Sequence, residues 1–170
     1  MEGEGTHHVN ASPVVVAYDG SPSADQAVRA AGGLLGGRRA LVVVVWKVGV
    51  GWELVGLPTV SLGLPLSSLD VRTALELDEE LSERAQRLAT HGAELARQAG
   101  FEAEGLAVAE DVNVPVAESV LRVADENDAQ AVVVGVHGHG RIGEVVLGST
   151  SRDIIRNASC PVVVGRDGRR

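Results

Sequence analysis

Aromatic residues are nearly missing from this chain: 2 Trp, 1 Tyr and 1 Phe. That removes the stacking platforms on which single-stranded nucleic acids are held. Basic residues are also in deficit. The 15 Lys and Arg face 23 Asp and Glu, a formal charge of −8, whereas phosphate-backbone binding needs clustered Lys and Arg. The single cysteine, Cys160, excludes an intrachain disulfide and a Cys-based zinc cluster, and it suits a reducing compartment. The longest uninterrupted apolar run, residues 40–46, falls far short of the roughly 20 residues of a membrane span. Glu2 and Glu4 stand where a secretory signal carries Lys or Arg, and the apolar run 14–17 is too short for an h-region. The chain is therefore expected to be cytoplasmic.

Hydrophobic residues make up 45% and charged residues 22% of the 170, room for one globular domain of ordinary size. The apolar share is carried by Val, Ala and Leu, which suits buried parallel strands flanked by Ala-rich helices. Residues 1–12, polar and Gly-rich, read as a loose tail, with one domain over 13–166 and a short tail over 167–170.

Val14-Val15-Val16-Ala17 is a strand buried on both faces, stopped by Asp19-Gly20. Ser21-Pro22 then supplies a helix cap with Pro at the first helical position, and Ala24, Ala27, Val28 and Ala31 follow at helical spacing until Gly32-Gly33 and Gly36-Gly37. Residues 40–45 form a second strand. The stretch 47–68, with several Gly and two Pro, reads as a long loop. A helix follows over 70–98, a third strand over 101–108, and a further helix from Asn113-Val114-Pro115 onward. Residues 131–134 and 161–164 are the fourth and fifth strands, separated by a Gly-rich segment and a helix around 151–157. This alternation means βαβ units with right-handed crossovers, hence an α/β fold with an open five-stranded parallel sheet.

The segment from Gly135 to Gly148 holds 5 glycines in 14 positions and enters a helix through Ser149-Thr150-Ser151. Glycines let backbone approach a ligand, and free N–H groups with the helix dipole make an anion pocket. A P-loop is excluded because no Lys follows any of these glycines, and the nucleophile elbow G-x-S-x-G is absent. Gly138, Gly140 and Gly143 match G-x-G-x-x-G literally, but after the fourth strand, with too little chain left to present a ribose-binding acid.

The spacing Gly135-x-x-Gly138, nine residues, then Gly148-Ser149 resembles the G-2x-G-9x-G-(S/T) signature of the ATP-binding branch of universal stress proteins. The opening Asp19-Gly20-Ser21-Pro22-Ser23 and the ending from Ser151-Arg152-Asp153-Ile154-Ile155 to Cys160-Pro161-Val162-Val163-Val164 are similar too, so the resemblance covers residues 13–166 and is thinnest over 47–68. It implies a Rossmann-like sheet ordered 3-2-1-4-5, of the adenine nucleotide alpha hydrolase-like type, with helices on both faces. It also implies a nucleotide at the C-terminal ends of strands 1 and 4. Ala17 and Asp19 then lie by adenosine, backbone around Val45 faces adenine, and Gly138, Gly148, Ser149 and Thr150 hold ribose and phosphates. With their neighbours Tyr18, Val134, Gly135, Val136, His139, Gly140 and Ser151, these form the candidate nucleotide site. The implied cofactor is ATP or another adenine nucleotide, with Mg²⁺, and the implied partner a second copy paired through 161–165.

Other readings stand beside these. Asp19 closes the turn into the first helix or contacts the ligand; Ser149 is the helix N-cap, a ligand, or both. Arg141 reaches a phosphate or is solvated. His137 and His139 alternate without an evident third metal ligand. Cys160 reads as a small buried residue rather than a reactive thiol, and Asp78-Glu79-Glu80 as a solvated helix face. No general base is evident; Glu144 and Asp153 are the nearest acids, so no catalytic residue is assigned, and the resemblance implies a nucleotide-dependent sensor or regulator in the stress response. The alternatives are a weak ATPase, a cAMP or AMP regulator, and a ligand-free interaction module.

Overall fold

Consecutive valines build the centre of the sheet, because β-branched side chains pack on both faces of a buried parallel strand. In the computed structural model, which describes residues 12–54, 67–136 and 147–165, β1 (Val14–Ala17), β2 (Arg39–Val48), β3 (Glu102–Asp111), β4 (Ala131–Gly135) and β5 (Val162–Gly165) form one parallel sheet ordered β3-β2-β1-β4-β5. Alternate side chains feed two cores. Val14, Val16, Val42, Val44 and Val133 face α1 (Pro22–Leu35) and α2 (Ser68–Gln98). Val15, Leu41, Val43, Val132 and Val134 face α3 (Val116–Glu126) and α4 (Ser149–Asn157), whose Ile154 is fully buried. Full burial of a side chain of this size stabilises by about 1.5–3 kcal/mol.

Ser21 caps α1 by accepting from the Ala24 N–H at 3.2 Å, with Pro22 in the first turn, as the sequence predicts. The helix does not stop at Gly32-Gly33, however, but continues to Leu35. The glycine there serves packing: a Cβ on Gly32 would stand 2.2 Å from the Ala99 carbonyl oxygen at the end of α2.

The segment 47–68 is not all loop. Lys47 and Val48 extend β2, a helical turn occupies 50–54, and Ser67 caps α2 in a reciprocal capping box with Asp70. Residues 55–66 lie outside the described residues. Asp78 is no solvated residue: its carboxylate accepts from the backbone N–H of Gly49 at 2.9 Å and of Gly51 at 3.4 Å, which anchors that helical turn. The solvated reading holds for Glu79 and Glu80, both exposed.

β3 runs three residues past the expected 108, because β2 lengthens with it and the two stay in register from Arg39↔Glu102 to Val48↔Asp111. Ser12, assigned to the tail by composition, is held through its carbonyl by the Gln130 side chain. Cys160 is half-buried against the α3–α4 core, where burial and then the Asp125 charge push its thiol up. Among the described residues no helix is long and apolar enough to cross a membrane.

Candidate functional site

Sheet order reverses at β1, which lies between β2 and β4, so a crevice opens beyond the C-terminal ends of β1 and β4. β1 stops at Ala17, opposite Val43, whereas β2 continues five residues further to Val48. The overhanging ends of β2 and β3 therefore form one side of the crevice. On the α3–α4 side of the sheet, Ala17, Val45, Val108 and Val116 are partly buried and pack against the core, giving an apolar floor. Val108 is the register partner of Val45. Neither Val108 nor Val116 belongs to the sequence-derived set; continuing the strand alternation from 106 to 111 would have exposed the first.

Tyr18 points the other way. Its ring packs in the α1–α2 core, a Cβ on Gly92 would come within 2.6 Å of it, and its hydroxyl donates to Asp25 Oδ1 at 2.6 Å. Burial, then that hydrogen bond, push the phenol pKa up. Only Tyr18 backbone is left on the crevice side, and its N–H is bonded to the Val43 carbonyl at 2.9 Å. Replacing Tyr18 with Phe is expected to cost about 1 kcal/mol of stability, read by urea unfolding, with no change in ligand affinity. An affinity loss beyond the stability loss would contradict this orientation.

Asp19 is exposed at the end of β1, and its Oδ1 accepts from the Ser21 N–H at 3.0 Å, so the turn-closing role is present. Gly20 takes φ +74°, the left-handed conformation this turn requires. Gly135 ends β4 directly against the first turn of α1; a Cβ there would sit 2.8 Å from Ser23 Oγ and 2.9 Å from the Ala24 nitrogen. Packing alone thus demands a glycine at 135. Val134 is buried beneath it and Val136 follows, with the Val136 N–H bonded to the Gly165 carbonyl at 3.0 Å.

The chain returns to this point at Gly148, whose N–H donates to the Val136 carbonyl at 3.0 Å. Gly148 is the N-cap of α4, one residue before the serine that the sequence offers as cap, since the first helical bond runs from the Arg152 N–H to the Gly148 carbonyl. Among the described residues no side chain caps this helix. A helix leaves its first four N–H groups without intrahelical partners. The Gly148 N–H is used by Val136, which leaves those of Ser149, Thr150 and Ser151 open among the described residues. Ser149 is exposed and Thr150 half-buried, while the buried Ser151 hydroxyl donates to the Gly135 carbonyl at 2.7 Å and locks α4 to the end of β4. The Arg152 guanidinium is turned back onto the Leu147 carbonyl at 3.1 Å. Gly138, His139 and Gly140, with His137, Arg141 and Glu144, lie outside the described residues. The crevice therefore joins an apolar end near Val45 to an uncapped helix N-terminus at 149–151, which attracts an anion through N–H groups and dipole together.

The universal stress protein family model matches residues 11–166, nearly all of the chain. The chain belongs to the universal stress protein family. It is 29% identical over 155 residues to the Thermus aquaticus universal stress protein in QAH/OAS sulfhydrylase 3'region, an alignment covering 90% of this chain and 97% of that one. With universal stress protein Slr1230 of Synechocystis it shares 37% identity over 49 residues, which span 29% of this chain and only 17% of that larger protein. Among solved structures, MJ0577 superposes with a TM-score of 0.69 at 17% identity, covering 95% of this chain and 100% of that one, which shows the fold. The 3-2-1-4-5 sheet implied by the family resemblance is the observed one.

Proposed function

We propose that this universal stress protein binds an adenine nucleotide, ATP in the first place, and acts as a nucleotide-dependent regulator in the stress response. The uncapped first turn of α4, set at the sheet's reversal point beside an apolar floor, carries the reading. Adenine lies over Ala17 and Val45, and the phosphates take the N–H groups of residues 149–151. Two relatives support the ligand class: an Archaeoglobus fulgidus universal stress protein was solved in complex with dAMP (24% identity, TM-score 0.56, covering 90% of this chain and 96% of that one). Another family member was solved in complex with cAMP (20% identity, TM-score 0.57). On this reading Mg²⁺ enters with the triphosphate. Among the described residues β5 is the edge strand of the sheet, with Val162, Val163 and Val164 half-buried, and pairing through it with a second copy covers those groups.

Thermal unfolding of nucleotide-free protein with ATP, ADP, AMP, cAMP, GTP or NAD, with and without Mg²⁺, tests the reading. ATP at 100 times its Kd adds about 2.7 kcal/mol. A flat response across all six, with mass spectrometry showing no nucleotide already bound, would sink the proposal.

A further inference from the structure

Beyond Val45, on the same side of the sheet, stands Lys47. β2 and β3 pair to their ends, Lys47 opposite Glu110 and Val48 opposite Asp111, five residues past the last residue of β1. Lys47 is half-buried and its ammonium is held on backbone: Nζ donates to the Asp111 carbonyl at 3.0 Å and to the Val114 carbonyl, with its charge also felt by the Asp111 carboxylate. Both carbonyls belong to the turn that leads from β3 into α3 and delivers Val116 to the apolar floor. That turn is otherwise closed on itself, by the Val114 N–H on the Asp111 carbonyl at 3.1 Å and by Asn113 on Asp111 Oδ1 at 2.9 Å. Pro115, the N-cap of α3, makes no side-chain bond. Glu110, on the same side of β3, is committed to α3, accepting from Ser119 Oγ at 3.1 Å and from the Arg122 guanidinium at 2.6 Å. Lys47 is thus the described side chain of β2 that ties the turn back over the floor, with an ion on two carbonyl dipoles, a stronger link than a neutral hydrogen bond.

We propose that Lys47 is a positioning residue for the nucleotide base: by holding the 111–115 turn against the overhanging end of β2, it fixes the wall of the base end of the crevice. The inference rests on the adenine-nucleotide reading and assigns to that site a residue that touches no phosphate. A wall at the base end acts on every adenine ligand alike, whatever the number of its phosphates. The full chain carrying Lys47→Met, Lys47→Arg or no change is titrated calorimetrically with adenosine, AMP and ATP, and its unfolding midpoint is measured without ligand.

Lys47→Met is expected to weaken all three ligands by a common factor of about tenfold. Lys47→Arg, whose guanidinium can donate to two carbonyls at once, should retain most of the affinity. A Lys47→Met protein that loses stability but keeps its affinities would overturn the proposal, since Lys47 would then only brace the turn. A loss that grows from adenosine to ATP would overturn it as well, because Lys47 would then act as a charge on the phosphates. If the unchanged protein binds none of the three, the nucleotide reading itself falls and this inference with it, an outcome distinct from failure in the variants alone.

Discussion

Gly148→Asp is expected to abolish stabilisation by ATP while leaving the ligand-free protein at least as stable as before. The two effects have opposite signs for one reason. Gly148 holds φ −58° and ψ 157°, a conformation open to any L-residue, so the substitution introduces no backbone strain. Asp is among the preferred N-cap residues, and its carboxylate can accept from the N–H groups of Thr150 or Ser151, which have no side-chain cap among the described residues. A new cap of this kind, with its charge at the positive end of the helix dipole, contributes about 1 kcal/mol. On the proposed reading the same carboxylate takes the place of a phosphate and repels it. The ligand term of about 2.7 kcal/mol at 100 times Kd should therefore vanish. Thermal unfolding with and without ATP reads both quantities in one experiment. If Gly148→Asp kept the ATP shift, the phosphates would not lie at α4. If it unfolded the ligand-free protein, Gly148 would have a packing role that its dihedral angles do not reveal.

The sequence carried more of the fold than of the site, and the reasons are physical. Four valine-rich runs, the alternation over 101–108 and the Ser21-Pro22 cap report on burial and local geometry, which a single chain segment encodes. What it could not report is which neighbour a residue meets. Gly32 looks like a helix breaker until Ala99 is seen against it, and Gly135, which reads as a ligand-approach glycine, has a packing role as well, with Ser23 and Ala24 where its Cβ would stand. Asp78 belongs by composition to an acidic helix face and by contact to Gly49 and Gly51. Tyr18 sits between Ala17 and Asp19 in the chain, but strand alternation turns its ring to the opposite core. Alternation was available from the residues alone, and applying it from Val43 through Lys47 would have placed Lys47 beside Val45.

Gly165→Ala is expected to be strongly destabilising. A Cβ at Gly165 would stand 2.2 Å from Ala27 Cα and 2.3 Å from Ala27 Cβ, well inside van der Waals contact. Neither atom belongs to a flexible side-chain end, so α1 must move away from β5 or the end of β5 must detach. α1 is pinned at its start by the Ser21 cap and along its length by the buried Ala24, Val28 and Ala31. Detaching β5 breaks the bond from the Val136 N–H to the Gly165 carbonyl, and Val136 in turn accepts from Gly148. Either response costs about 3 kcal/mol, a fall in Tm of roughly 6–12 °C for a domain of this size. Because the second response runs through Val136 to Gly148, weakened ATP binding alongside the fall in Tm would show that β5 detaches, and unchanged binding that α1 shifts. Gly33→Ala is the control. Gly33 lies exposed within the same helix with nothing within 4 Å of an added Cβ, so Ala there should raise stability by up to about 1 kcal/mol. A Gly165→Ala protein as stable as Gly33→Ala would mean that α1 does not rest on β5 at this distance.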